Sequence, residues 1–201
     1  MGKWRCVLLM VISILVFMPP NGQAAGFTKE AIDFEARSLL NQMEITRDVN
    51  FKLKNRLSAA LSNDAALNEA MKASGVHAVF TYACGEGGIV FKYMGGDGLI
   101  SFVNGRKAAP FTLKGWSAGA MIGGSAQWGI GLVIGEADEN DFGGAYRGGL
   151  RGATAWEAAT KNMLFLRSAK EKKYHELYII STSRGLSAGV GGTIMQLTPD
   201  W

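Results

Sequence analysis

The stretch "GGIVFKYMGGDGLISFVNGRKA", from Gly87 to Ala108, is the most informative part of the sequence for the fold. Its apolar and aromatic residues form short runs bounded by glycine, as in β-strands. Asn104 and Gly105 stand between two such runs, and the pair predicts a hairpin turn in which both residues take positive φ. The glycines of "GGDG", from Gly95 to Gly98, predict another turn. We therefore expect antiparallel strands here.

The same pattern continues to the C-terminus. Further runs typical of strands are "VHAVFTYA" (76–83), "GLVIGEA" (131–137), "MLFLRS" (163–168) and "YHELYIIS" (174–181). The last two flank a charged turn and predict another hairpin. Because few helical patterns separate these runs, a parallel sheet with crossover helices is disfavoured. The sequence predicts a compact glycine-rich antiparallel β-barrel, or a strongly curved sheet, over residues 75–201.

Residues 25–74 predict a helical lead-in to that barrel. Of the 27 glycines, only Gly2, Gly22 and Gly26 precede Gly75. Asp64 predicts the cap of a short third helix. Two apolar stripes recur at helical spacing, one formed by Ile32, Ala36, Leu39, Leu40 and Met43, and one by Val49, Leu53, Leu57, Ala60 and Leu61. The expected fold class is α+β, and the length of 201 residues favours a single domain.

Residues 1–24 have the pattern of a secretory signal peptide. Lys3 and Arg5 precede the apolar run Cys6–Phe17, and the small-residue stretch "NGQAAG" follows. The run is shorter than the roughly 20 residues that a spanning helix needs. We expect cleavage after Ala24 or Ala25 and a periplasmic mature protein, with an uncleaved N-terminal anchor as the alternative.

Composition excludes several classes of function. The chain is 48% hydrophobic and 19% charged, and its net charge of +4 is far from the basic footprint of a nucleic-acid binder. Cys84 has no cysteine partner once the signal peptide is removed, so we expect a buried apolar role. The acidic run Glu136–Asp141 lacks the glycine and distal glutamate of a calcium loop and predicts a solvated turn. No metal or cofactor is predicted.

Two stretches, "GWSAG" (115–119) and "GLSAG" (185–189), match the G-x-S-x-G turn that presents the nucleophile of α/β-hydrolases. That turn requires a helix after the serine. Glycines are frequent after Ser117 and after Ser187, and each costs a helix about 1 kcal/mol relative to alanine. We therefore predict extended chain after both serines. The positions assigned to backbone geometry are Gly115, Ser117, Gly119, Gly123, Gly185, Ser187 and Gly189.

A serine hydrolase remains an alternative. The catalytic triad of an α/β-hydrolase follows the chain order serine, aspartate, histidine. Ser117, then Asp138 or Asp141, then His175 could meet this order. However, His175 adjoins a charged turn, where a lone histidine is usually solvated, and His77 fits an outward strand position. We therefore predict no catalytic residue and a protein that is not an enzyme.

Four segments from about Ala65 to Leu197 resemble, in order and spacing, the SYLF domain, a lipid-binding module of eukaryotic actin and endocytic regulators and of exported bacterial proteins. They are "NEAMKASGVHAVF", "GEGGIVFKYMGGDGLISF", "PFTLKGWSAGAMIGG" and "LYIISTSRGLSAGVGGTIMQL". Met121 stands where the family usually has glutamine, and Ser187 where it usually has phenylalanine. EipA-like small barrels of bacterial envelope integrity are a second resemblance, with a similar hairpin followed by a Ser-x-Gly strand.

The resemblance implies a non-enzymatic envelope protein that binds anionic lipid or a membrane surface, partly through a basic N-terminal helix. The matching candidates here are Lys29, Arg37, Lys52, Lys54 and Arg56. Because acidic residues are interleaved with them, a merely solvated face is the alternative. Trp116, Trp128 and Trp156 would add apolar contact if exposed, although such residues are usually core. A scaffold role through self-association or an envelope protein partner is a further alternative.

Overall fold

The structure, a computed structural model, describes residues 26–88, 91–118, 125–135, 138–150, 161–168, 176–185 and 193–201. Three helices come first, α1 (Lys29–Gln42), α2 (Arg47–Asn63) and α3 (Ala65–Ser74). The strands that follow are β1 (Val76–Gly87), β2 (Phe91–Phe102), β3 (Ala109–Ala118), β4 (Ser125–Ile134), β5 (Gly144–Leu150), β6 (Lys161–Ser168), β7 (Glu176–Gly185) and β8 (Thr193–Pro199). Residues 1–25, which carry the predicted signal peptide, lie outside the described ranges.

The described strands form a closed barrel. Their order around the ring is β1-β2-β3-β8-β5-β6-β7-β4, and β4 pairs with β1 to complete it. Each pairing between neighbours is antiparallel. The predicted α+β class, with helices followed by an antiparallel barrel-like sheet, is therefore confirmed, and so is the hairpin formed by β6 and β7.

The helices cover one side of the barrel with the two predicted apolar stripes. All members of both stripes are buried except Met43, which is half-buried at the end of α1. They pack against the outer sides of β1, β4 and β7, through residues such as Val79, Ile130 and Ile180. Asp64 caps α3 as predicted, since its Oδ1 accepts a hydrogen bond of 2.9 Å from the Leu67 N–H. Gly75, at φ 69°, then turns the chain into β1.

The barrel interior is filled by aromatic rings. Phe80, Phe111 and Phe142 are fully buried and meet at centroid distances of 5.2 to 5.9 Å with interplanar angles of 60 to 87°. Rings at these distances and angles make favourable edge-to-face contacts. Glycine on β4 leaves the room for them, because a Cβ at Gly131 would lie 2.0 Å from the Phe80 Cζ. The barrel interior around these three rings is therefore a packed core.

Two turn predictions need correction. "GGDG" is not a turn, because Gly95 to Gly98 lie inside the continuous strand β2, and a Cβ at Gly96 would lie 2.0 Å from the Ala83 carbonyl oxygen. The close approach of two strand backbones, rather than a reversal, requires glycine there. The hairpin at Asn104-Gly105 is present, but residues 103–108 form a longer loop whose positive φ falls on Ala108. The expected two-residue turn is therefore wrong.

Candidate functional site

The two G-x-S-x-G stretches approach the same end of the barrel. Ser117 lies next to the last residue of β3, opposite Lys92 and Thr193, while Gly185 ends β7 opposite Ser125, the first residue of β4. We call this end, where β1, β3 and β7 finish and β4 begins, the mouth. Gly119, Gly123, Ser187 and Gly189 lie outside the described residues. After Ser117, the next element that the structure describes is strand β4.

The first glycine of the "GWSAG" stretch has a packing role. A Cβ at Gly115 would lie 2.7 Å from the Ile194 carbonyl oxygen and 2.8 Å from the Met94 Cγ. Contacts this short force a neighbouring strand or side chain to move. The close packing of the strands therefore requires glycine at position 115.

The structure does not bring the described members of the hydrolase alternative together. Asp138 lies in the β4–β5 connection at the far end from Ser117, where its Oδ1 accepts hydrogen bonds from the N–H groups of Asn140 (2.8 Å) and Asp141 (3.1 Å). These bonds form a local turn, as expected for the described part of the acidic run. His77 also lies at the far end, where it alternates with the inward residue Ala78 on β1, as an outward strand position requires, but it is buried there. His175 lies outside the described residues.

A buried polar layer lines the inside of the mouth, and the sequence analysis missed it. The Ser125 hydroxyl donates a hydrogen bond of 2.6 Å to the Glu86 Oε2, and the Gln127 amide donates one of 2.8 Å to the Tyr82 hydroxyl oxygen. All four side chains are less than a tenth exposed. Burial raises the pKa of Tyr82 well above its usual value, so the phenol stays neutral. The strand pattern could have indicated this layer, because every second residue of a strand lies on the same face. Residues 78, 80, 82, 84 and 86 of β1 therefore all face the barrel interior.

This layer provides a fixed donor and acceptor network rather than a nucleophile with its base. Among the described residues, no group of three or more histidine, cysteine, aspartate and glutamate side chains could hold a metal ion. Cys84 lies between Tyr82 and Glu86 on the same strand face and is buried, as predicted.

The five basic residues assigned to lipid binding lie on α1 and α2, and four of them make contacts within the protein. Arg56 is the most embedded, because its Nη1 donates a hydrogen bond of 2.8 Å to the Ser181 carbonyl oxygen and burial lowers its pKa. Lys52 is exposed. The other three contacts are Lys29 Nζ to the Leu61 carbonyl oxygen (2.5 Å), Arg37 Nε to Asp33 Oδ2 (2.6 Å) and Lys54 Nζ to Asn41 Oδ1 (3.1 Å).

Exposed phenylalanines accompany these residues. Phe34 on α1 is 71% exposed and Phe51 on α2 is 64% exposed. Each lies on the side of its helix opposite the buried stripe, since Phe34 is two residues from Ile32 and Phe51 two from both Val49 and Leu53. The outer surface of the helical layer, which we call the helical face, therefore combines apolar rings with basic side chains.

A second exposed aromatic group lies on the sheet. Tyr93 on β2 and Trp116 on β3 are register partners that are 52% and 51% exposed. Trp128 instead packs, partly buried, against the helical core, and Trp156 lies outside the described residues. Sequence reasoning named Trp116 but missed its pairing with Tyr93, which depends on strand register.

Fold and surface together define an α+β protein in which a helical layer covers one side of a closed antiparallel barrel. Two solved structures are similar to it at low identity. One is a beta-barrel-like, uncharacterised protein from Brucella abortus, with 18% identity, a TM-score of 0.45, and coverage of 89% of this chain and 98% of that chain. The other is the virulence-associated protein VapD of Rhodococcus equi, with 14% identity, a TM-score of 0.38, and coverage of 60% and 98%. No protein-family model and no curated protein matches the chain.

Within the described ranges, none of the helices has both the length and the apolar character that crossing a membrane requires.

Proposed function

We propose that this protein is a non-enzymatic envelope protein that binds anionic lipid surfaces through its helical face. The observation that carries the proposal is the exposure of Phe51 between Arg47 and Lys54. These residues stand four before and three after Phe51, so all three share one side of α2. A helix that offers apolar rings flanked by cations suits the boundary between lipid headgroups and acyl chains.

Contacts around the helices also alter the charge balance of this face. The sequence alone left open a solvated face in which acids neutralise the cations. In the folded protein, Lys107 forms a salt bridge of 3.2 Å with Glu35, and Arg184 forms one with Asp48. Two of the acidic residues of the helices are therefore neutralised by cations from outside the helices. Arg47 and Lys52 are exposed. The electrostatic potential of the face is therefore more positive than the helix sequences alone suggest.

Vesicle co-sedimentation tests this function. We expect the protein to sediment with vesicles containing phosphatidylglycerol at low salt, and to sediment less with phosphatidylcholine vesicles or at high salt. Phe34→Ser combined with Phe51→Ser should weaken binding roughly tenfold or more, because burying one such ring is worth about 1.5 to 3 kcal/mol. Lys52→Ala combined with Lys54→Ala should weaken it and reduce its salt dependence.

A control is Thr198→Ala, which changes an exposed side chain of β8, the strand opposite β4 in the ring and away from α2, and should leave binding unchanged. Arg56 is left intact in these variants because of its contact with β7. Failure of the unmodified protein to sediment with phosphatidylglycerol vesicles at low salt would exclude the proposal.

Export to the periplasm is part of the same proposal and rests on the pattern of residues 1–24. Sequencing the N-terminus of the protein recovered from a bacterial periplasmic fraction tests it. Cleavage after Ala24 or Ala25 is the expected result. Recovery of uncleaved protein only in the cytoplasmic fraction would contradict it.

A further inference from the structure

The barrel carries a second surface with the composition of a lipid contact. Tyr93, Trp116, Ile194 and Arg147 are successive register partners on β2, β3, β8 and β5. Three strand spacings make this row roughly 14 Å wide. Tyr93, Trp116 and Arg147 are exposed and Ile194 is half-buried. We call this row, together with its neighbour Lys114, the aromatic face.

Most of the aromatic face lies on the other side of the barrel from α2, whereas α1 packs on β1 and β2, so Tyr93 on β2 is the part of the face nearest the helices. In the closed ring of eight described strands, β3 is diametrically opposite β7, and β8 is opposite β4. Helix α2 packs on β7 and β4. Trp116 and Ile194 therefore project away from the side on which Phe51 is exposed.

The chemistry of the aromatic face also fits an anionic lipid surface. Tyrosine and tryptophan prefer the membrane interface because one part of each ring is apolar and another is polar. The Tyr93 ring reaches along the sheet over Gly95, since a Cβ there would lie 3.4 Å from the tyrosine Cε1. Lys114 is the register partner of Gly95 and is exposed. Lys114 and Arg147 outnumber Asp97, the exposed acid nearby on β2, so the described part of the face is net positive.

We propose that the aromatic face is a second contact for anionic lipid, so that one molecule bridges two lipid surfaces held on opposite sides of its barrel. This inference rests on the proposed function, because the helical face provides the first contact. A molecule with two such faces links vesicles at moderate protein concentration. At high concentration each vesicle is coated by separate molecules, and the links are lost.

Dynamic light scattering of phosphatidylglycerol-containing vesicles tests the bridge, alongside co-sedimentation of the same samples. We expect the unmodified full chain to increase the apparent vesicle size several-fold at moderate protein-to-lipid ratios and to lose this effect at excess protein. Tyr93→Ser combined with Trp116→Ser should abolish clustering while retaining most of the sedimentation. Thr198→Ala, an exposed position further along β8, is the matched control and should cluster normally. Circular dichroism melting checks that each variant is folded.

The outcomes separate the two proposals. Sedimentation without clustering overturns the bridge and leaves the lipid-binding function standing, whereas absence of sedimentation overturns both. If the Tyr93→Ser, Trp116→Ser variant still clusters vesicles, the aromatic face is not the second contact. If sedimentation velocity shows a dimer that the same variant dissociates, a second copy of this chain covers the face and the bridge is overturned.

Discussion

Arg56 on α2 donates a hydrogen bond of 2.8 Å to the main-chain carbonyl oxygen of Ser181 on β7, a residue 125 positions later in the chain. Burial against the barrel lowers the pKa of this guanidinium from its usual value. Because a half-buried cation bound to the barrel is poorly placed to meet a lipid phosphate, the contact separates Arg56 from the other basic candidates. The hydrogen bond joins the helical layer to β7, one of the strands that end at the mouth.

Replacement of Arg56 by alanine should destabilise the fold. We expect the free energy of unfolding to fall by roughly 1 to 2 kcal/mol, because the Ser181 carbonyl oxygen loses a charged donor and the arginine stem loses its packing. Lys52→Ala, on the exposed side of the same helix, should change it by less than about 0.5 kcal/mol. Urea unfolding followed by circular dichroism measures both. Equal effects from the two variants would contradict the anchoring role.

Gly131→Ala should be among the most damaging single-methyl additions to the barrel. The new Cβ would lie 2.0 Å from the Phe80 Cζ, and overpacking of this kind costs typically about 1 to 3 kcal/mol. Gly85→Ala is the control, because a Cβ at Gly85 has no heavy atom within 4 Å in the structure as described. Thermal unfolding compares the two variants. Phe80→Leu should partly restore the stability of Gly131→Ala, and additive effects would show that the pair is not coupled.

The pH dependence of stability should include a contribution from Asp48. Its hydrogen bonds with Thr46 and Arg184 lower the pKa of this carboxyl to about 2 in the folded protein, against an ordinary value near 3.9. The folded state therefore binds fewer protons than the unfolded state between these values, so the stabilisation is present above about pH 4 and is lost as the pH falls towards 2. Because Asp48 and its partner Arg184 are both exposed to solvent, the effect should be small and weaker at high salt.

Melting temperatures measured from pH 5 to pH 2 check this expectation. Asp48→Asn should be less stable than the unmodified protein at pH 5, and the difference should shrink towards pH 2. A difference that stays constant across this range would exclude the carboxylate as its cause.

Ser117 should not behave as an activated nucleophile. A fluorophosphonate probe should leave the folded protein unlabelled, because Asp138 and His77 both lie at the far end of the barrel from Ser117. Intact-protein mass spectrometry after incubation with the probe measures this, with a known serine hydrolase as the positive control. Labelling that disappears in Ser117→Ala would revive the hydrolase alternative.

The parts of the fold that depend on local pattern were predictable from the sequence. The recurrence of apolar residues at helical spacing correctly predicted that Leu39 and Leu57 are buried. The capping preference of aspartate correctly predicted Asp64 at the start of α3. The "GGDG" stretch was misleading because glycine has two structural uses. It permits turns, and it also permits the close strand contact that Gly96 makes with Ala83. Sequence alone does not separate these uses, since the second depends on the neighbouring strand.

The surfaces were less predictable because they depend on register and on tertiary contacts. Tyr93 and Trp116 are 23 positions apart and become neighbours only through the β2–β3 register. Similarly, only the folded chain brings Arg184 to Asp48 and Lys107 to Glu35. The basic residues of the helices could be named from the sequence. The sequence could not show that Arg56 contacts β7 while Lys52 is exposed.

Closure of the ring also restricts how another polypeptide can be recognised. Every strand that the structure describes has a hydrogen-bonded neighbour on each side, so an incoming chain finds no vacant ladder of backbone donors and acceptors along these strands to extend. A partner could bind by strand addition only if two paired strands first separated. The same holds for edge-to-edge aggregation, which occurs at the exposed edges of open sheets. The outer walls of the barrel therefore select their ligands by side-chain chemistry, which evolution can alter one position at a time without changing the ring.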